Sequence, residues 1–288
     1  MNAQTIPEFD SDRAFGYLEG QCQLGPRNPG SEGHQKGLEY IVDVVTPLAD
    51  SVILQSIPYL NPYDGAMLKL TNIIAQFRPQ DKYRIWIAAH WDTRPWADKD
   101  KNPENRKTPI LGANDGASGV AILLELAHHF SEQIPPVGVD LIFFDGEDMG
   151  MTGDLENFFN GSRYLAQHIP TKIPEYCILI DMVGDKELRI PMEKNSLIQA
   201  GDLVKELWEL AQDLGFFQFV SVIGPAIADD HLILFEGGGI PTIDIIDFDY
   251  PNRWENYWHT LEDTPDKCSS ESLYIVGMVL LHHIYEIE

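Results

Sequence analysis

The chain has 288 residues, 44% of them hydrophobic, which is enough for a large core and fits a single α/β domain spanning its length. Forty-five acidic against 20 basic residues give a formal net charge of -25. Such a surface repels nucleic acid and anionic membranes, whereas a cationic peptide partner or a salty habitat suits it. Three widely spaced cysteines, Cys22, Cys177 and Cys268, form no C-x-x-C pair, which excludes a zinc ribbon and a thioredoxin motif, and their odd, low count argues against a disulfide framework.

The first segment, MNAQTIPEFDSDRAF, has neither a basic start nor an apolar stretch. The expectation is a cytoplasmic monomer, or a periplasmic or secreted one if a signal has been removed. Helical spacing covers 10–24 and 31–45, and an apolar strand-like run follows at 84–89. A helix is expected over 118–130, where Val120, Leu123, Leu124, Ala127 and Phe130 make one apolar face. Strands at 139–144, 176–180 and 240–246 alternate with helices at 161–168, 202–214 and 270–287. The apolar part of the last helix, from Leu273 to Leu281, is too short to span a bilayer. Strands alternating with helices, with no linker between them, predict one α/β domain whose sheet is covered on both faces.

In such sheets functional groups collect in loops at the carboxyl ends of strands. His90 and Asp92 follow the first apolar run in AAHWDTRPW. Asp115 sits in a loop of small residues, GANDGA, ahead of the 118–130 helix. Asp145, Glu147 and Asp148 follow the second run in FFDGEDMG, and Asp181 ends the third in LIDMVG. ADDH carries Asp229, Asp230 and His231; PTIDIID carries Asp244 and Asp247; YWHTLEDT carries Trp258 and His259. Taken singly, each has a plain explanation as a cap, a turn or a packing residue. Together they would crowd acids at a cost that a cation offsets. Carboxylate and imidazole donors without cysteine suit a catalytic zinc with an open position, and an acid left over can act as a general base.

The order of these pieces, from GPRNPGSEGH at residues 25–34 to the last helix, resembles the zinc aminopeptidase family with its co-catalytic metal pair. It is still more similar to the glutaminyl-peptide cyclotransferases built on the same fold, especially the bacterial ones. The resemblance implies a three-layer α/β sandwich with a central mixed, mostly parallel sheet. It implies one zinc held by Asp115, Asp148 and His259, with Glu147 as general acid/base. Asp181 and Asp229 match acids that support the substrate amine and a proton network, while Trp258 and Asp244 are placed in the substrate pocket. Animal cyclotransferases carry His where Asp244 stands, so their proton network does not transfer whole. Asp148 is likewise shorter than the Glu of many relatives.

The implied reaction closes an N-terminal glutamine of a peptide or protein into pyroglutamate with release of ammonia. Three features favour it: Trp258 directly before His259, the D-D-H segment and the TRPWAD run after His90. The rival is a two-zinc aminopeptidase, because His90 and Asp181 match the ligands of a second metal. A non-catalytic peptide binder on the same fold would have lost Glu147 or a ligand, and none is lost.

Overall fold

The computed structural model describes residues 6–287. In chain order the elements are α1 (Ser11–Gln23), α2 (Glu32–Val45), β1 (Ser51–Leu60), β2 (Met67–Phe77), β3 (Arg84–His90), α3 (Ala117–Glu132), β4 (Gly138–Phe144) and α4 (Asn160–Gln167). They continue with β5 (Cys177–Asp181), β6 (Ile190–Met192), α5 (Lys194–Asp213), β7 (Phe219–Ile223), α6 (Asp230–Gly238), β8 (Thr242–Ile246), β9 (Pro251–Asn252), β10 (Glu255–Asn256) and α7 (Ser270–Tyr285).

Six strands form the central sheet in the order β1-β2-β4-β3-β5-β8. β1 pairs antiparallel with β2, and β2 antiparallel with β4. From β4 through β3 and β5 to β8 every pairing is parallel. The sheet is therefore mixed and mostly parallel, as the family resemblance implied, with an antiparallel hairpin added on one side.

The strand period of two divides the core. Ile85, Ile87 and Ala89 pack with Leu18 of α1, Ile41 of α2, most of α3, Leu207 of α5 and Val276 of α7. The alternate residues Trp86 and Ala88 pack with Leu165 of α4 and Leu234 of α6. Both faces are thus covered, which is why β3 and β4 are buried along their whole length. No helix among the described residues is long and apolar enough to cross a membrane.

The parallel strands β3, β4 and β5 all point the same way, so their last residues come together at one edge of the sheet. His90 ends β3, the loop carrying Glu147 and Asp148 follows β4, and Asp181 ends β5.

Candidate active site

The loops at this edge are fastened to one another by buried carboxylates. Asp92, fully buried, accepts hydrogen bonds from the backbone amides of Glu147 (3.0 Å) and Asp148 (3.2 Å). That pins the loop after β4 to the loop after β3 and fixes two adjacent acids. Asp263 accepts from the amides of Asn114 (2.8 Å) and Asp115 (3.1 Å), seating the small-residue loop from the far side. The loop passes so close to β3 that a Cβ on Gly116 would stand 2.7 Å from the Asp92 carbonyl oxygen and 3.2 Å from the His90 ring; its φ is +103°. Only glycine tolerates both the approach and the dihedral. This is the physical reason for small residues around Asp115.

Asp115, Asp148 and His259 converge from three separate loops, each at most 4% exposed. His259 Nε2 lies 3.4 Å from Asp115 Oδ2 and 3.3 Å from Asp148 Oδ2. Both of those oxygens are buried without a hydrogen-bond partner. A tetrahedral ion with bonds of about 2.0–2.1 Å sets its ligand atoms roughly 3.3–3.4 Å apart. The donor types, their spacing and their orphaned oxygens therefore fit a metal ion. His259 also holds a left-handed backbone, φ +56°, a conformation that only its surroundings maintain.

Two residues brace this trio. Arg94 donates to Asp148 Oδ1 at 2.6 Å and grips Asp98 with two hydrogen bonds, at 2.8 and 2.9 Å. Asp98 Oδ1 in turn lies 3.5 Å from His259 Nδ1, placing a carboxylate behind the imidazole. Burial alone would raise the Asp98 pKa, but His259, Arg94 and Thr152 outweigh it and hold this carboxyl well below its usual range.

The opposite wall is built differently. His90 Nε2 stands 3.1 Å from Asp115 Oδ1 and 3.2 Å from Asp181 Oδ1, the second contact being a hydrogen bond. Burial opposes a charge on His90, but Asp115, Asp181 and Asp92 outweigh it and raise its pKa well above the ordinary value. His90 Nδ1 faces Glu147 Oε2 at 3.8 Å. Burial raises the Glu147 pKa well above the ordinary value; His90 pulls against this, while Asp148, Asp229 and Asp230 add to it. Asp229 caps α6 by accepting from the Asp230 amide and is likewise shifted upward, first by burial and then by Asp181 and Asp230.

Asp244 departs from expectation. It is fully buried on β8, behind the pocket wall instead of on it, with Oδ2 3.6 Å from His231 Nδ1. Its backbone amide donates to Ser196 Oγ, tying β8 to the start of α5. The physical reason is that β8 lies within the covered part of the sheet, so the residue at its centre meets helices before it meets the cavity.

A cavity of about 330 Å³ opens between these walls. Its lining includes Asp115, Asp148 and His259 together with Glu147, Asp181 and Asp229. Trp258 closes it, stacked on the His259 ring at 3.7 Å between centroids and leaning on Phe248 at 5.0 Å. His90 sits beneath, linking Asp115 to Asp181. Sequence reasoning gave no role to Asp92, Arg94, Asp98 or Asp263. Asp92 was visible in the H-x-D pair, and Arg94 and Asp98 lie in the TRPWAD run, but their contacts join positions up to 161 residues apart.

The model of peptidase family M28 matches residues 72–284. The chain belongs to this family. The crystal structure of a Bacteroides thetaiotaomicron glutaminyl cyclase bound to N-acetylhistamine is 37% identical, with a TM-score of 0.93 over 99% of this chain and 100% of that one. A Zn-dependent exopeptidase from Parabacteroides distasonis is also 37% identical, with a TM-score of 0.92 over 98% and 100% of the two chains. The bovine glutaminyl-peptide cyclotransferase is 23% identical over 295 residues, covering 90% of this chain and 78% of that protein.

Proposed function

We propose that the protein is a zinc-dependent glutaminyl-peptide cyclotransferase, which converts the N-terminal glutamine of peptides into pyroglutamate and releases ammonia. The observation that carries this reading is the pocket itself: one cavity lined by a donor trio, by Trp258 stacked on His259, and by the carboxyl groups of Glu147, Asp181 and Asp229. The volume, about 330 Å³, is at the small end of ligand pockets and admits a glutamine side chain with its α-amine.

Asp115, Asp148 and His259 hold the ion. When bound, it supplies Lewis-acid polarisation of the glutamine side-chain carbonyl. The Trp258 face orients the flat side chain. Asp181 and Asp229 accept hydrogen bonds from the α-amine and direct its lone pair at the amide carbon. As the new C–N bond forms, Glu147 takes one proton from the attacking nitrogen; it then delivers that proton to the departing amide nitrogen, which leaves as ammonia. Burial raises the Glu147 pKa above the ordinary carboxyl range, which makes it a stronger proton acceptor in the first half of the step than an exposed carboxylate.

The reading includes a single ion. His90 reaches Asp181 by a direct hydrogen bond, so this pair needs no cation to satisfy it. The rival, an exopeptidase with two ions, draws on the grouping of His90, Asp115 and Asp181 as a second donor set.

The test uses zinc-loaded protein and two peptides of equal length, one beginning with glutamine and one with leucine, read by mass spectrometry. Loss of ammonia from the first and no change in the second is the expected result. Release of free leucine would replace this reading with the rival. Chelation of zinc should abolish turnover, and re-addition should restore it; full activity in metal-free protein would remove the ion from the account.

A further inference from the structure

The charge of this chain is not evenly distributed. Bases are outnumbered 20 to 45, yet Lys99, Lys101, Arg106 and Lys107 fall together in the loop that leads from β3 toward α3, and all four are exposed. Lys101 pairs with Glu255 at 3.2 Å. Lys99, Arg106 and Lys107 have no acid within ion-pair distance among the described residues. The Arg106 guanidinium is instead steadied by the Asp100 carbonyl oxygen, to which its Nε donates at 2.9 Å.

These three line a second, more open cavity of about 670 Å³, which shares Arg94, Lys99 and Thr152 with the active-site cavity and continues it outward. Asp98 is its one acid, already held by Arg94 and Thr152. Lys99 stands at the junction, its ammonium 5.7 Å from the centroid of Trp258. Going outward, the surface therefore changes from carboxylates at the pocket floor to unpaired cations at its mouth. A peptide that enters amine first places its amine among the acids, while its next residues pass the cations. An extended chain advances about 3.3–3.6 Å per residue. A peptide leaving on this side would carry its first two or three residues after the glutamine past Lys99 and then Arg106 and Lys107.

We propose that this basic rim is a specificity subsite that selects substrates carrying Asp or Glu in the two or three positions after the N-terminal glutamine. The inference rests on the cyclotransferase reading above and narrows its substrate class. Exposed ion pairs are individually weak, so three of them give a preference of about five- to tenfold, screened by salt.

The experiment measures ammonia release from Gln-Glu-Glu-Ala, Gln-Ala-Ala-Ala and Gln-Lys-Lys-Ala by the zinc-loaded full chain and by a Lys99→Gln/Arg106→Gln/Lys107→Gln variant. The quantity read is the ratio of kcat/KM for the acidic peptide to that for the neutral one, so a general loss of activity cancels. The expected ratio is about five to ten in the native protein and near one in the variant; the native ratio should also fall toward one in 0.5 M sodium chloride. The salt titration stands by itself if the variant fails to fold. A native ratio near one, or a ratio that survives both salt and substitution, overturns the rim while turnover of the neutral peptide upholds the cyclotransferase reading. No ammonia from any glutamine peptide overturns that reading, and the rim with it.

Discussion

On the Asp148–His259 side of the pocket, two buried carboxylate oxygens face His259 at 3.3 and 3.4 Å and accept no hydrogen bond. On the His90–Asp181 side, the imidazole meets its acid directly at 3.2 Å. Asp115 belongs to both, with one oxygen turned each way. The contrast is what favours one ion in the reading proposed above, although both donor sets are grouped closely enough to hold a metal. Buried acids need a positive partner. A cation suits the first wall, and an imidazole already serves the second. The supports differ as well. Arg94 and Asp98 brace the first wall through charged contacts. The second is backed by a buried layer in which Glu193 lies 3.4 Å from His231, and His231 lies 3.6 Å from Asp244.

The largest effect expected is at Glu147, in the pocket lining. Glu147→Gln should lower kcat by about 10²–10⁴ while zinc content stays unchanged, because it removes proton transfer and leaves the donor trio intact. Steady-state kinetics with metal analysis reads both quantities, and activity that survives the change would strip Glu147 of its role.

The layer behind the second wall should matter next, and for stability. Burial works to raise the Glu193 pKa, but the His231 imidazole 3.4 Å away and hydrogen bonds from the Asn195, Ile227 and Ser196 amides outweigh it and hold the value at about 2. An unfolded glutamate titrates near 4.3, so the folded state gains stability that is complete above about pH 4.3 and is lost as pH falls toward 2. The gap of about 2 units corresponds to about 3 kcal/mol. Glu193→Gln should cost roughly that much at pH 7, and its deficit should shrink as pH drops through 4, as urea unfolding would show. Because Glu193 also accepts from Ile227 in the pocket lining, KM should rise too. A deficit independent of pH would contradict this account.

A smaller effect sharpens the first wall. Asp98→Asn weakens the carboxylate behind His259 and should reduce zinc affinity about 10–100-fold, measured by competition with a chelator. An unchanged affinity would mean that Arg94 alone supports the trio.

The parallel strands and the helices around them were legible in the sequence because full burial leaves unbroken apolar runs, as in β3 and β4. The β1–β2 hairpin was not. Its outer strand has polar Gln55 and Ser56 within it and exposes Leu54 and Leu60, so no apolar run marks it. The early turns of α5 escaped because the helix is broken at Ala200, and α6 because its apolar residues do not gather on one face. The donor trio and the surrounding acids could be named from motif order. What lay beyond the sequence was which atoms remain unpartnered, since that depends on Asp92, Arg94 and Asp263 reaching across distant loops.

The most direct measurement counts zinc per chain by native mass spectrometry during a zinc titration of the native protein, His259→Gln and His90→Gln. The account predicts one tightly held zinc in the native protein, none in His259→Gln and one in His90→Gln. Two zincs in the native protein, falling to one in His90→Gln, would contradict it and show that both walls hold metal.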